Sequence, residues 1–199
     1  MSRQLLGFCS AVLATTLVAA PANAHAQSAQ PWSLQGSLLL ANVDLGGKQV
    51  GGAGIEAQLR YTPASLFSLG AGFQSTAHES GGEKLTMTGV FVEPRYALDI
   101  GSDHVAPYLA GRVALLSQTS DLKAAASAKS SGFAIGAGGG LLFKASKTVN
   151  FDLGVAFVNQ SFGDATGTNP TTGKSAVVHY DSFFGYVVKG GISVGFGSR

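Results

Sequence analysis

The chain has 199 residues and a formal net charge of +2, with 13 Lys or Arg against 11 Asp or Glu. Near-neutrality without a basic stripe excludes an electrostatic footprint for nucleic acid. Twenty-eight glycines with only 12% charged residues also set it apart from an ordinary soluble globule, in which about a quarter of residues are charged.

The first element is an export signal. Arg3 precedes an apolar run from Leu5 to Ala20, Pro21 ends it, and Ala22, Ala24 and Ala26 supply small residues for cleavage. The layout predicts a signal peptide over residues 1–26, cut after Ala26 or alternatively after Ala24, followed by one domain over 27–199. As an uncleaved anchor the run is short of ~20 spanning residues, and the polar stretch Gln27-Ser28-Ala29-Gln30 follows it at once. The lone cysteine, Cys9, lies inside the signal, which leaves the mature chain no disulfide or thiol chemistry. No later apolar run reaches helix-spanning length.

Eight segments of period-two alternation follow. The first is Trp32 to Val43. The second, Ala53 to Tyr61, sets Ile55, Ala57, Leu59 and Tyr61 against Glu56, Gln58 and Arg60. Three polar or charged residues at that period suit a wet or ion-paired lumen and not a dry sandwich core. The third is Leu66 to Gln74. The fourth, Leu85 to Leu98, places Val90, Val92, Pro94 and Tyr96 opposite Glu93 and Arg95. The fifth, Ala106 to Leu116, opposes Leu109, Val113 and Leu115 to Tyr108 and Arg112. In the sixth, Phe133 to Lys144, large apolar residues alternate with glycines. The seventh is Val149 to Gln160, with Phe151, Leu153, Val155 and Phe157 opposite Asn150, Asp152 and Gln160. The last runs from about Phe183 to Phe196.

The connections at 62–65, 99–104 and 145–148 are short. Those at 45–52, 75–84, 118–131 and 161–182 are mostly longer and polar. Short turns on one rim and long loops on the other predict an all-β, eight-stranded antiparallel up-and-down transmembrane β-barrel in a bacterial outer membrane. A secreted barrel with an apolar interior gives the same alternation. The number of large apolar side chains, the glycines on the opposite face and the aromatic strand ends favour the membrane version. Trp32, Tyr61, Phe67, Phe73, Tyr96, Phe143, Phe151, Phe157 and Phe196 are the candidates for two interfacial girdles.

Phe91-Val92-Glu93-Pro94-Arg95-Tyr96, followed by Ala106-Pro107-Tyr108-Leu109-Ala110-Gly111, resembles the small outer-membrane β-barrel superfamily of Gram-negative bacteria. That superfamily includes OmpA-type transmembrane domains, OmpX and the porin-family surface proteins, and the likeness spans the mature chain. It implies a setting in outer-membrane lipid and lipopolysaccharide. It also implies recognition of the last strand, ending at the aromatic Phe196, by the barrel-assembly machinery, although Gly197-Ser198-Arg199 trail it. The chain lacks the length for a peptidoglycan-binding domain, and the outer loops are the candidate contacts for extracellular ligands.

The inward charges are the candidate site. Glu56, Glu93, Arg112 and Lys189 are expected at one mid-lumen height, with Arg60, Arg95 and Asp152 lower and Glu93–Arg112 as a direct pair across adjacent strands. An eight-stranded barrel is only wide enough for side chains to fill, so these seven residues predict an ion-pair network plugging the bore. Such a network is either a static polar core or a gate that exchanges partners.

Other motifs carry less. Thr168 to Ser175 imitates a phosphate loop, but its first glycine is replaced and no helix follows. Gly136, Gly138, Gly139 and Gly140 imitate a dinucleotide fingerprint inside a strand, where glycine relieves crowding. His179, Asp181 and Ser182, and His78, Glu79 and Ser80, are hydrolase-like sets whose members alternate faces along extended chain. The histidines lack metal-ligand spacing. The reading is a non-enzymatic envelope barrel without a cofactor, and the alternative is a narrow pore for small ions or hydrophobic compounds.

Overall fold

The computed structural model describes residues 30–45, 47–80, 83–121, 127–168, 175–178 and 182–198. The expected signal peptide, with Cys9 and its cleavage sites, lies outside the described residues. In chain order the strands are β1 (Trp32–Leu45), β2 (Lys48–Tyr61), β3 (Phe67–Ser80), β4 (Glu83–Ala97) and β5 (Val105–Asp121). They continue as β6 (Ser127–Lys144), β7 (Val149–Phe162), β8 (Ala165–Thr168), β9 (Ser175–Val178) and β10 (Phe183–Phe196).

Strands β1 to β7 and β10 form one antiparallel barrel, each paired with its neighbour. β10 returns to β1 with Phe196 opposite Trp32 and Val188 opposite Leu40, which closes the ring and leaves the eight strands no free edge. β8 and β9 form a small hairpin that pairs Ala128 and Lys129 of β6 with Gly167 and Thr166.

The strands outrun the ~10 residues a membrane crossing requires, at 14 to 18 residues each in the barrel. Three expected loops are therefore largely ladder. β1 pairs with β2 as far as Leu45–Lys48, β3 with β4 as far as Ser80–Glu83, and β5 with β6 as far as Asp121–Ser127. The fourth expected loop, 161–182, contains the β8–β9 hairpin. The sequence there does not alternate apolar with polar cleanly, because the outward face lies beyond the bilayer and the inward face buries polar residues such as His78, Gln118 and Ser130, yet the backbone groups still pair.

The alternation settles which face meets lipid. Leu38 is 71% exposed, and Ile55, Leu109, Leu115, Ile135 and Leu153 also stand on the outer face. Glu56, Gln58, Arg60, Glu93, Arg95 and Asp152 are buried within the barrel. The outward apolar runs, Trp32 to Leu40 on β1 and Phe184 to Phe196 on β10, span roughly 20–30 Å at ~3.3 Å per residue and a ~40° tilt. Above them the outward positions turn polar at Asn42, Ser75, Thr88, Ser117, Ser131 and Asn159.

Register places the aromatic residues at two levels. Trp32, Tyr61 and Phe196 are cross-strand neighbours near the short turns, as are Phe67 with Tyr96 and Phe143 with Phe151. The Trp32 and Tyr61 rings lie 4.6 Å apart. Further out, Phe157 stacks with Phe184 at 6.2 Å.

The interior has two parts. Toward the short turns it is mainly polar, with a small cluster of Ala106, Tyr108 and Leu142. Toward the long connections it is an apolar core of Val43, Val50, Met87, Phe91, Leu116 and Phe162, with smaller partners. This apolar outer part was not among the expectations drawn from the sequence, which concerned the charged middle of the lumen. The inward positions of β1 and β4 switch from polar to mainly apolar halfway along each strand, so much of the outer half closes by packing, with Thr76, His78, Gln118 and Gln160 also buried there.

Candidate functional site

Glu93, on β4, is the centre of the charged cluster. Its Oε1 lies 2.8 Å from Arg60 Nη2 and 2.8 Å from Arg95 Nε. Its Oε2 accepts from Arg112 Nε at 2.9 Å and also meets Arg112 Nη2. Lys189 Nζ stands 3.2 Å from both oxygens. One carboxylate thus touches all four cations of the predicted set. This is possible because inward residues of β2, β4, β5 and β10 converge on an axis only a few side chains wide.

The other two carboxylates extend the cluster in opposite directions. Asp152, on β7, accepts from Arg95 Nη2 at 2.8 Å, from Gln35 Nε2 at 2.6 Å and from the Tyr108 hydroxyl at 2.7 Å. Glu56, on β2, pairs with Arg112 Nη1 at 2.7 Å and accepts from Gln58 at 3.2 Å. Arg60 donates to Gln58 Oε1 and Ser68, and Arg112 donates to Gln74 Oε1. The guanidinium of Arg95 lies 4.3 Å from the Tyr108 ring centre, and that of Arg112 lies 3.9 Å from the Phe91 ring centre. Multiple charge-assisted bonds and aromatic faces together offset the desolvation of groups buried this deeply.

All seven residues meet, and Glu93 joins to Arg112 directly. The layering differs from expectation in one respect. Arg60 and Arg95 do not form a separate lower tier, because both reach Glu93. Arginine side chains are long enough to climb one residue level inside a barrel.

Glycines make this reach possible. Gly70 on β3 lies opposite both Arg60 and Glu93, and a Cβ there would sit 2.8 Å from Arg60 Nη2. Cβ atoms at Gly140 and Gly154 would sit 2.6 and 2.5 Å from the Tyr108 hydroxyl. The bare wall of β6 and β7 is therefore the space into which Tyr108 of the neighbouring β5 projects. Gln35, Gln74 and the Tyr108–Asp152 bond were not singled out from sequence. Their inward phase was the available signal, but neutral side chains carry no charge to draw attention.

On the outer side of the cluster lies a cavity of about 50 Å³. Glu93, Tyr108, Arg112 and Lys189 line one part of it, and Met87, Leu116, Ala134 and Val158 line another.

Of the remaining sequence motifs, the described part of the His78 set does not converge. His78 is buried in the lumen while Glu79 is exposed, so those neighbours face opposite ways. His179, Asp181 and the Ser80 side chain lie outside the described residues, as does the middle of the phosphate-loop-like segment. Gly136 to Gly140 lie in β6. Among the described residues, no group of three or more His, Cys, Asp or Glu is arranged to hold a metal ion.

The family described as outer membrane protein beta-barrel domain matches residues 10–177. The chain belongs to that family. It is accordingly an integral protein of the bacterial outer membrane. No curated protein matches it by sequence. Among solved structures, Neisserial surface protein A is 16% identical, with a TM-score of 0.65 over 85% of this chain and 100% of that one. The attachment invasion locus protein Ail of Yersinia pestis, in complex with the heparin analogue sucrose octasulfate, is 14% identical, with a TM-score of 0.51 over 81% and 97%. OprG of Pseudomonas aeruginosa is 11% identical, with a TM-score of 0.51 over 87% and 99%. At these identities the likeness establishes the fold.

Proposed function

We propose that the protein is a non-enzymatic, structural or surface-exposed component of the outer membrane whose bore is closed by the Glu93-centred ion-pair cluster. The single observation that carries this reading is the contact of Glu93 with Arg60, Arg95, Arg112 and Lys189, which leaves the axis filled at mid-height. The apolar packing of Met87, Phe91, Leu116 and Phe162 further out supports the same closure. On this reading the seven charged residues hold the lumen together and carry out no reaction. The surroundings are membrane lipid and lipopolysaccharide, the last strand ending at Phe196 is the feature read by the assembly machinery, and extracellular ligands meet the outer connections.

The cavity beside the cluster favours a second reading, a narrow path for small ions or hydrophobic compounds that opens when the ion pairs exchange partners. Planar-bilayer recording on refolded full-length protein separates the two. Silence supports closure, and steady conductance by the wild type supports passage.

A further inference from the structure

The buried cluster is not neutral. Arg60, Arg95, Arg112 and Lys189 oppose only Glu56, Glu93 and Asp152, so one positive charge is in excess. Among the described residues, Glu93 is the sole carboxylate lining the adjoining cavity. An uncompensated charge in such surroundings is costly and calls for a counter-ion.

The bonding identifies which cation is left over. A carboxylate offers about four lone-pair sites. Glu93 already receives Arg60 Nη2, Arg95 Nε and two nitrogens of Arg112. The Lys189 ammonium is thus a fifth donor nitrogen, at 3.2 Å from each oxygen, and its distance to Glu56 Oε1 is 3.9 Å, beyond hydrogen-bond reach. Each arginine has a carboxylate partner at 2.8 Å or less. Lys189 has the longest closest carboxylate contact of the four cations, and its side chain borders the cavity.

Beyond that ammonium the walls are mostly apolar, formed by Leu39, Met87, Ala134, Ala156, Val158 and Val187, with Thr76, His78 and Gln160 as the polar part of the lining. At ~10–15 Å³ per water, about 50 Å³ holds some three or four waters, or an organic anion of a few heavy atoms. We propose that this chamber binds a short-chain monocarboxylate, its carboxylate on Lys189 Nζ and its alkyl end against Met87 and Val158. The carboxylate supplies the missing negative charge, and the alkyl end displaces water from apolar walls.

Sodium butyrate, acetate and chloride are titrated into refolded full-length protein in detergent at constant ionic strength. Thermal stability and the methyl NMR signals of Met87, Ala134 and Val158 are followed. The expected result is saturable stabilisation and methyl shifts with butyrate, weaker effects with acetate and weakest with chloride. Lys189→Gln removes the excess charge. It should fold without added anion and weaken butyrate binding about tenfold or more, the loss of a charge-assisted bond. Lys189→Arg should retain binding. Equal responses to all three anions would overturn the carboxylate assignment. No methyl shift with butyrate, or an unchanged butyrate response in Lys189→Gln, would overturn the site. Neither outcome bears on whether the bore conducts, so this inference and the closure reading fail separately.

Discussion

Arg95 ties Glu93 to Asp152, with its Nε 2.8 Å from Glu93 Oε1 and its Nη2 2.8 Å from Asp152 Oδ2. Glu93 and Arg95 lie two residues apart on β4 and so share a face, while Asp152 stands across the lumen on β7. One guanidinium therefore couples a local pair to a contact between strands 57 residues apart in sequence. Its removal should be felt on both walls.

The sharpest stability prediction concerns Glu93. Glu93→Gln leaves four buried cations facing two carboxylates, and breaking a buried pair from one side costs about 3–5 kcal/mol. Equilibrium unfolding of the refolded barrel in lipid vesicles measures it. A loss below about 1 kcal/mol, the level of an exposed pair, would deny Glu93 its central role.

Tyr108 and Gly154 should be coupled. A Cβ at residue 154 would lie 2.5 Å from the Tyr108 hydroxyl, which donates to Asp152. Gly154→Ala should destabilise by about 1–3 kcal/mol through overpacking. The same change in a Tyr108→Phe background should cost less, since the crowded oxygen is gone. A double-mutant cycle reports the difference, and strict additivity would show that the two positions do not meet.

How much of this was legible in the sequence depends on the physical signal available. Ile55, Leu59 and Val92 alternate with Glu56, Arg60 and Glu93, so strand identity and facing were open to reading. The closed ring follows once eight such segments carry lipid-facing side chains. The Ser/Thr-rich ends of β5 and β6 read as loop because inward Gln118 and Ser130 are polar like their outward neighbours, and pairing there rests on backbone groups that leave no sequence pattern. The lumen was harder. Charge marks Arg112 and Lys189 as inward partners, but Met87, Phe91 and Leu116 interrupt the polar phase without announcing an apolar outer half. That Arg60 and Arg95 both reach Glu93 depends on rotamers and on the space at Gly70, which spacing along the chain does not encode.

The lipid-facing assignment has its own test. Leu38 stands mid-band on β1 and Asn159 above the band on β7. Leu38→Arg should cost about 2–4 kcal/mol in bilayers, and Asn159→Arg only about 0–1 kcal/mol. Equal costs at the two sites in vesicle unfolding experiments would mean that residue 38 does not lie at the membrane midplane.

Closure of the bore is the central claim, and Arg112 is the residue through which to test it. Its side chain fills the space between Glu56, Glu93 and Gln74 and covers the Phe91 ring. Single-channel recording in planar bilayers should find the wild type without steady conductance and Arg112→Ala with discrete openings and a lowered melting temperature. Identical conductance and identical thermal stability in the two proteins would contradict the account, because a plug from which a bridging arginine can be removed without effect is not what closes the barrel.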